Sequence, residues 1–431
     1  MAKNTNINLR NKVMYSIYLR NHTEEGTFAA AEKDLDRIKM LGIDIIWLMP
    51  IHTIGQKNKK GTLGCPYAIK DYRAINSEYG DKEDLLHFVE QVHARGMLCI
   101  IDVVYNHTSP DSVLAIEHPE FFFKKEDGGF GNKTGEWFDV IDLDYSNKKL
   151  WEYQIETLCM WAKIVDGFRC DVASLIPIEF WENARREVAK VNPQVIWLAE
   201  SIDMGFIRDN RRRGLVAHSD SEVFGAFDVL YDYDMFPHYS EYLRGDISLD
   251  TYVRYLNFQD NIYPANYVKL RYLENHDQPR AKSVITDEVQ LINWTAFEYF
   301  QKGMTLVYAG QEMEDDKLPS LFDKDLINWN TGKNISKLLA VLSEIKKMKI
   351  MSCGDYHLEA DKKSDTIIGT YEYMEERLIG IFCLKGESCS VSIELEDGDY
   401  SNLINGEILI VKDRTINVEG RPIILKQGRN K

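Results

Sequence analysis

The chain has 431 residues, of which 44% are apolar, so it can form one large domain and one small domain with sizeable cores. Its 52 basic and 68 acidic residues give a net charge of −16, which argues against nucleic acid or an anionic membrane as the main partner. The sequence holds no apolar run of the ~20 residues that span a membrane, no apolar signal-peptide core near Met1 and an odd number of cysteines, seven, which together predict a cytoplasmic protein with reduced thiols.

Eight short apolar runs alternate with helical patterns along most of the chain. Their centres are rich in Ile, Val, Leu, Tyr and Cys, as expected of strands buried on both faces. The predicted strands are Val13–Leu19, Ile43–Met49, Met97–Tyr105, Val165–Asp171, Val195–Glu200, Phe227–Tyr231, Val268–Leu273 and Met304–Ala309. Eight such βα units close most simply as a (β/α)8 TIM barrel. A doubly wound open sheet is the alternative, although no Gly-x-Gly-x-x-Gly loop follows the first strand.

Two of the intervening helices have clear ends. Apolar residues recur at helical spacing from Phe28 to Leu41, and Gly42 follows as a stop signal. The same pattern runs from Lys82 to Arg95 and stops at Gly96. We therefore predict one helix in each of these two segments.

The connection after the third strand is unusually long. Residues 108–146 contain no clear long helix and are rich in glycine and aromatic residues. A loop of this length inside a compact domain is usually functional. We predict a short irregular inserted domain at 108–146 above the C-terminal face of the barrel, with the barrel itself formed by 1–107 and 147–351.

A change of pattern between Lys349 and Gly354 predicts a domain boundary. The helix from Ile335 to Met348 is the last with barrel-like character, and short alternating runs with turn signals follow it. The predicted strands of this part are Thr366–Tyr373, Leu378–Leu384, Ser390–Leu395 and Pro422–Lys426. Residues 352–431 should therefore form a C-terminal antiparallel β-sandwich domain.

Charged side chains stand at the ends of four predicted barrel strands. The four segments are Asp102–His107, Gly167–Asp171, Trp197–Glu200 and Glu274–Asp277. A strand interior would not tolerate these groups unpaired, because burying a bare charge is costly. In a TIM barrel, the C-terminal ends of the strands face one common site, so we expect these side chains to meet there.

The types of these side chains indicate acid–base chemistry. Arg169 lies two residues before Asp171 on the same strand, so the two should point to the same side and the arginine should keep the carboxylate ionised. Glu200 follows an apolar run, and apolar neighbours would favour the protonated form that a general acid needs. Two such carboxyl groups, about 5–5.5 Å apart, are what glycoside cleavage with retention requires.

These four segments resemble the four signature regions of the alpha-amylase family, glycoside hydrolase family 13, in the family's order. Weaker similarities extend over most of the chain. They are found at Pro66–Tyr72, Ile141–Asp144 and Ala309–Glu312, and the tail fits the family's third domain. The resemblance implies a barrel glycosidase acting on α-1,4-linked glucans such as maltooligosaccharides and starch.

The resemblance also implies the catalytic residues. Asp171 would be the nucleophile that forms a covalent glycosyl ester. Glu200 would act first as the acid and then as the base. Asp277 would bind sugar hydroxyls and stabilise the oxocarbenium-like transition state.

Five further residues would bind substrate by the same resemblance. Arg169 would orient Asp171, and Asp102 would support the local network. His107 and His276 would form hydrogen bonds with the sugar before the scissile bond, and Tyr67 would be the platform on which that sugar stacks.

Some positions depart from the family pattern, so the exact reaction stays open. Many family amylases have a Lys-His pair after the nucleophile, where this chain has Val172–Leu175. Family α-glucosidases often have an acidic residue three positions before the tyrosine, where this chain has Gly64. The alternatives are a 4-α-glucanotransferase, an oligosaccharide-acting α-glucosidase and a non-catalytic binding homologue, which three intact acids disfavour.

The chemistry itself requires no cofactor, because carboxyl groups can perform every step. The sequence has no His/Cys cluster with metal-ligand spacing, so the ligands of any metal stay unknown. A structural calcium near Asn106 or within 108–146 is left open. We expect a monomer that binds oligosaccharides and neither nucleic acid nor a membrane.

Overall fold

The computed structural model describes residues 4–134 and 137–428. Its central feature is a closed barrel of eight parallel strands in consecutive order. The strands are β1 (Val13–Ile17), β2 (Ile45–Leu48), β3 (Leu98–Val103), β4 (Gly167–Cys170), β5 (Ile196–Ala199), β6 (Val229–Tyr231), β7 (Lys269–Arg271) and β8 (Met304–Tyr308). The predicted TIM barrel is confirmed, all eight predicted strands are present, and the open sheet is wrong.

The strands are buried on both faces, as their composition predicts. Every residue of β1, β2 and β4 is buried. Strand β4 begins with Gly167 because space there is limited: a Cβ atom would come within 2.6 Å of the carbonyl oxygen of Ile196 on β5. The glycine therefore allows β4 and β5 to pair closely, which brings their C-terminal ends side by side.

Helices connect the strands. The α-helices outside the inserted segment are Leu19–His22, Phe28–Glu32, Leu35–Met40, Lys82–Ala94, Lys148–Trp161, Ile178–Val188, Met204–Arg212, Asp220–Val223, Phe236–Arg244, Leu249–Ile262, Ala281–Val284, Glu288–Phe300, Ser336–Lys346 and Lys349–Cys353. Short 3-10 helices lie at Ile7–Asn11, Ala173–Leu175 and Gln311–Met313. Within the described residues, none of these helices is both long enough and apolar enough to cross a bilayer.

The helix predicted from Phe28 to Leu41 is wrong as a single helix. It is broken into two between Glu32 and Leu35. The carboxylate of Asp34 is engaged at the break by His22, at 2.9 Å, and by Arg37. These contacts connect the junction of the two helices with His22. The glycine stop signals hold, since Gly42 and Gly96 both have positive φ angles, 86° and 66°.

Two hairpins stand on the C-terminal side of the barrel strands. His52–Ile54 pairs with Ile69–Ile75 after β2, and the two-residue strand His107–Thr108 pairs with Ile141–Asp142 across the inserted segment. The inserted segment also contains the short helices Val113–Glu117 and Pro119–Phe121. Long helices are absent from its described residues, as the sequence predicts. Gly135 and Glu136 lie outside the described residues.

The C-terminal part is antiparallel, as predicted. A four-stranded sheet has the order Asp355–Asp361, Thr366–Tyr373, Glu376–Cys383, Ile423–Gln427. Two further pairs are Ser388–Ser392 with Thr415–Glu419, and Gly398–Ser401 with Ile408–Val411. Ile379 and Ile381 of the sheet share one apolar core with Val391, Val411 and Ile416 of the two pairs.

The chain divides into two compact units. The first contains Met14–Tyr231 and Leu318–Asn328, and the second contains Asn6–Val13, Asp232–Lys317 and most of the chain from Trp329 on. Strands β2–β6 belong to the first unit, and β7 and β8 belong to the second. The domain boundaries drawn from the sequence, 1–107 with 147–351, 108–146 and 352–431, stay a prediction.

Candidate active site

Arg169 is the centre of the charged network in the first unit. Its side chain is fully buried, and Nη1 lies 2.9 Å from Asp102 Oδ1 and 2.7 Å from Asp171 Oδ1. Nη2 forms an ion pair with Glu200 Oε1 at 3.0 Å. Burial acts to lower the pKa of this guanidinium, but the neighbouring charges of Asp102 and Glu200 raise it well above its ordinary value. Arg169 is therefore always charged and contacts three carboxyl groups.

Aromatic rings surround the same guanidinium. Its central carbon lies 5.3 Å from the ring centroid of Trp47, 5.5 Å from that of Tyr67 and 5.4 Å from that of Tyr231. These are cation–π distances. Arg169 Nε also donates to Tyr231 Oη at 3.3 Å. The sequence analysis did not assign Trp47 or Tyr231 to the site, although Tyr231 is the last residue of β6 and Trp47 lies one residue before the end of β2.

Tyr67 and Asp102 are joined to this network. The Tyr67 hydroxyl donates to Asp102 Oδ2 at 3.0 Å, while Asp102 is fully buried against Arg169. The tyrosine ring is therefore fixed at its hydroxyl end. The supporting role of Asp102 and the stacking role of Tyr67 both stay predictions.

His107 lies beside Asp171, with 3.9 Å between His107 Nε2 and Asp171 Oδ2. Its ring centroid is 5.3 Å from that of Trp137 in the inserted segment. Burial lowers the pKa of His107 below its ordinary value. The histidine is therefore a neutral imidazole at pH 7, able to donate or accept a hydrogen bond at Nε2 according to its tautomer.

Glu200 has surroundings other than those expected. The composition of the strand predicts apolar neighbours, but the carboxyl group of Glu200 contacts charged and polar groups instead. Oε1 faces Arg169, and Oε2 accepts a hydrogen bond from the backbone N–H of Val172 at 2.7 Å. The prediction failed because a strand's composition describes its own two faces, whereas the carboxyl group lies beyond the strand end, next to β4.

The strand-end motif of β7 belongs to the second unit. His276 is buried and lies 3.0 Å from Asp277 Oδ2 through Nε2, while the Asp277 side chain is 43% exposed. The Asp277 N–H donates to Asn275 Oδ1 at 2.8 Å. Asp277 thus has a solvent-accessible carboxylate beside His276, and its backbone is held by the side chain of Asn275.

Glu274, the first residue of that motif, has a different role. It is buried, and its Oε1 lies 2.6 Å from Arg280 Nη1. Its Oε2 accepts the N–H of Ala281 at 2.6 Å, and Arg280 Nη2 donates to the carbonyl of Ala309 at 2.8 Å. Glu274 therefore fixes the loop after β7 and connects it with the end of β8.

One wall of the first-unit site comes from loops. Lys60 Nζ forms an ion pair of 2.8 Å with the buried Asp139 and lies 5.2 Å from the ring centroid of Phe138. Nearby, Tyr67 and Trp137 pack on a small apolar cluster that also receives Phe322. The ion pair thus connects the loop after β2 with the inserted segment, next to Tyr67 and His107.

The described residues contain no group of three or more His, Cys, Asp or Glu side chains placed to hold a metal ion. The side-chain amide of Asn106, which the sequence suggested for calcium, lies 3.2 Å from His107 Nδ1. Its backbone carbonyl accepts the N–H of Leu143 at 3.0 Å. The backbone of Asn106 therefore stabilises the hairpin that contains His107, and its side chain contacts the ring of that histidine.

Comparison with known protein families gives two matches. Residues 16–353 match the alpha amylase catalytic domain, and residues 357–425 match the bacterial alpha amylase C-terminal domain. The first match covers far more than half of the chain.

Similar structures and relatives carry related names. The crystal structure of an alpha-amylase from Lactobacillus plantarum is 44% identical with a TM-score of 0.96, and the alignment covers 98% of this chain and 100% of that one. A noncanonic maltogenic alpha-amylase from Thermotoga neapolitana is 33% identical with a TM-score of 0.88, at 98% and 100% coverage. An alpha-1,4-glucan:maltose-1-phosphate maltosyltransferase from Myxococcus xanthus is 32% identical over 214 residues, which are 43% of this chain and 32% of that protein. The aligned segments span 44%, 32% and 66% of the first three curated relatives.

Proposed function

The chain belongs to the alpha-amylase family, glycoside hydrolase family 13, and on this premise we propose that it hydrolyses α-1,4-glucosidic bonds in maltooligosaccharides with retention of anomeric configuration. Asp171, Glu200 and Asp277 are the proposed catalytic residues. Tyr67, Asp102, His107, Arg169 and His276 are the proposed substrate-binding and positioning residues.

One observation carries the proposal: a single buried guanidinium contacts both Asp171, at 2.7 Å, and Glu200, at 3.0 Å. The shared arginine brings two carboxyl groups to one site. A carboxylate that acts as nucleophile and a carboxyl group that acts as acid are the pair that a double displacement through a covalent intermediate requires. The anomeric form of the first products distinguishes this mechanism from inversion.

The proposed mechanism has two steps. Asp171, kept ionised by Arg169, attacks the anomeric carbon with a carboxylate oxygen, while Glu200 gives a proton to the departing glycosidic oxygen. The product of this step is a glycosyl ester on Asp171 and a free sugar hydroxyl. Glu200 then removes a proton from a water molecule that attacks the anomeric carbon, which releases Asp171 and restores the acid. No step uses a metal.

Proton NMR during the first minutes of maltoheptaose cleavage tests this mechanism. We expect α-anomeric products to appear first and to equilibrate with the β-anomers by mutarotation. Products that appear first as β-anomers would contradict retention. Absence of any cleavage would instead favour the non-catalytic binding homologue.

A 4-α-glucanotransferase is the second candidate, supported by the similarity to a maltosyltransferase. The two reactions share the glycosyl ester and differ in whether water or a sugar hydroxyl attacks it. Product analysis from maltotriose separates them. Oligomers longer than maltotriose as main products would favour the transferase, and glucose with maltose alone would favour the hydrolase. An oligosaccharide-acting α-glucosidase would release glucose from chain ends only.

We further propose that the protein works in the cytoplasm on imported maltooligosaccharides. The seven cysteines, an odd number, support a reducing compartment. Polymeric starch does not cross a membrane, so its soluble fragments are the accessible substrates. The expected kcat/KM on maltopentaose to maltoheptaose is at least as high as on soluble starch, and binding to raw starch granules should be negligible. Tight granule binding would count against this assignment.

A further inference from the structure

Val172, the residue directly after Asp171, has a left-handed backbone. Its φ is 36° and its ψ is 42°. A β-branched residue is a genuine outlier in this region, because its Cβ comes too close to the backbone carbonyl oxygen. Such a conformation persists only where the surrounding structure imposes it, and it is most often found at functional sites.

Val172 differs from the other residues with this backbone. The non-glycine residues with positive φ in the described part of the chain are otherwise Asn58, Glu314, Asp365, Met374, Asp413 and Arg414. None of those is β-branched. Val172 is therefore unusual in residue type among the described residues with this backbone, and it directly follows the proposed nucleophile.

The segment after Val172 is firmly held, which explains how the turn persists. The Leu175 N–H donates to the Val172 carbonyl at 2.9 Å and closes a short 3-10 turn. The indole of Trp181 donates to the carbonyl of Ala173 at 3.1 Å, and the His218 N–H donates to the carbonyl of Ser174 at 2.8 Å. Contacts from two other segments thus fix the direction in which the chain leaves β4.

The turn determines what the Val172 N–H can reach. In a parallel ladder, such an N–H would bond a backbone carbonyl of the neighbouring strand. Here the ladder between β4 and β5 ends with the Glu200 N–H donating to the Cys170 carbonyl at 3.0 Å. The Val172 N–H instead donates to the side chain of Glu200, at 2.7 Å. This short distance is typical of an N–H that bonds a charged acceptor.

Glu200 is therefore held at both oxygens. Arg169 Nη2 contacts Oε1, and the Val172 N–H contacts Oε2. One contact alone would leave the carboxyl group free to rotate about its bond to the side chain, whereas two contacts fix its plane. A general acid is effective only when its proton points at the leaving oxygen.

We propose that Val172 is a positioning residue for Glu200: its left-handed turn directly after Asp171 prevents β4 from continuing and leaves the N–H of residue 172 to fix the carboxyl plane of Glu200. The inference rests on the proposed function, in which Glu200 is the acid. The proposed role belongs to a backbone N–H. Substitution of the side chain does not remove this group, so the test must change the backbone.

Replacement of the N–H tests the inference directly. Incorporation of the α-hydroxy analogue of valine at position 172 turns the amide into an ester, which removes the N–H and keeps the side chain. A matched ester at Ala30, whose N–H donates to Thr27 Oγ1 at 3.2 Å in a helix cap, is the control. Val172→Gly is a second variant that keeps the N–H and relieves the strain of the left-handed backbone, although glycine allows more backbone conformations than valine. Its melting temperature verifies folding.

The readout is the ratio of kcat/KM on maltotetraose to kcat/KM on a 4-nitrophenyl α-maltoside. The sugar leaving group needs a proton from the acid, whereas nitrophenolate departs with little help. We expect the ester at 172 to lower this ratio about 10-fold or more, a part of the usual contribution of general acid catalysis. Val172→Gly should lower it less, and the ester at Ala30 should leave it unchanged.

The pH profile provides a second readout that a purely structural role would not move. The N–H stabilises the carboxylate of Glu200, so its loss should shift the basic limb of kcat/KM to higher pH. Arg169 contacts Glu200 and also Asp102 and Asp171, and His107 lies 3.9 Å from Asp171. The ester changes none of these charged or titratable side chains. If a folded, active ester variant kept both the wild-type ratio of kcat/KM values and the wild-type basic limb of the pH profile, the inference would be overturned while the proposed function would stand. A wild-type protein inactive on both substrates would overturn the proposed function together with it.

Discussion

At the residue scale, one guanidinium contacts three carboxyl groups. Arg169 lies within hydrogen-bond distance of Asp102, Asp171 and Glu200, all largely buried. Bringing three acidic groups together in a buried place is costly for folding, so this cluster is better explained by chemistry than by stability.

This cluster leads to the first prediction. Asp171→Asn should lower turnover of maltoheptaose by about three orders of magnitude or more, because the nucleophile is lost. Its melting temperature should change little, because asparagine keeps the shape of the side chain and Arg169 keeps its contacts with the other carboxyl groups. Glu200→Gln should behave in the same way. Steady-state kinetics and a melting curve on each purified variant measure both effects.

The control for these variants is Asp127→Asn, an exposed aspartate in the inserted segment. It should change neither property. More than a tenth of wild-type turnover in a clean preparation of Asp171→Asn or Glu200→Gln would contradict the role of that residue. A large fall in melting temperature would instead show that its carboxylate stabilises the fold.

At the element scale, the site depends on two connections that leave the barrel and return to it. The loop after β2 and the inserted segment are joined by the Lys60–Asp139 ion pair, and Asp139 is only 2% exposed. Such a pair contributes little by its own attraction, but removing one partner leaves a buried charge without compensation. Lys60 should therefore control how firmly the wall beside Tyr67 and Trp137 is held.

The second prediction follows from this contact. Lys60→Met should raise KM for maltotetraose several-fold with a smaller change in kcat, because the wall loosens while Asp171 and Glu200 keep their places. The double variant with Asp139→Asn should recover part of the loss, since the buried charge is removed as well. Lys59→Met, which removes an exposed lysine of the same loop, should have no effect on KM. Equal KM values for Lys60→Met and wild type would contradict the prediction.

The hairpin after β2 contains a pH-sensitive residue. Burial lowers the pKa of His52 from 6.5 to about 4, and its Nδ1 lies 3.2 Å from the carbonyl oxygen of Ala74. Below pH 6.5 the unfolded chain binds a proton at this histidine and the folded chain does not. The stabilising contribution of neutral His52 is therefore complete above pH 6.5 and is lost as the pH falls from 6.5 towards 4.

The third prediction gives this effect a size. Protonation of His52 should lower the free energy of unfolding by up to about 3 kcal/mol between pH 7 and pH 4, at roughly 1.4 kcal/mol per unit of pKa difference. Urea unfolding at several pH values should show a shallower pH dependence in His52→Asn than in wild type. The matched variant of an exposed histidine, His357→Asn, should keep the wild-type slope. Parallel slopes for wild type and His52→Asn would disprove the assignment.

At the scale of the whole molecule, the chemistry proposed here is complete without a metal. The fourth prediction is that prolonged treatment with EDTA leaves turnover of maltoheptaose within about two-fold of the untreated enzyme. A structural calcium, which the sequence left open, would appear as a lower melting temperature after chelation, because a ligand that binds only the folded state stabilises it. Turnover abolished in a protein that stays folded, and restored by added metal, would show that the mechanism is wrong.

The sequence alone determined the architecture of the molecule. Strands buried on both faces must be apolar throughout, so the eight barrel strands are visible as apolar runs, and the charged residues at their ends are visible by contrast. The spacing of Arg169 and Asp171 predicted their contact, because the period of a strand is two residues. Patterns of this kind depend only on residues that are neighbours in the sequence, so they can be recognised without knowledge of the fold.

Only the tertiary structure decided which groups the candidate acid contacts. Glu200 is held by Arg169 of the neighbouring strand β4 and by the N–H of Val172, which follows that strand, and neither residue is next to Glu200 in the chain. The side chain of Asp34 at the helix break likewise contacts His22, twelve residues away. The physical reason is the same in both cases: hydrogen bonds and ion pairs depend on distance in space, and a backbone N–H carries no signal in the sequence.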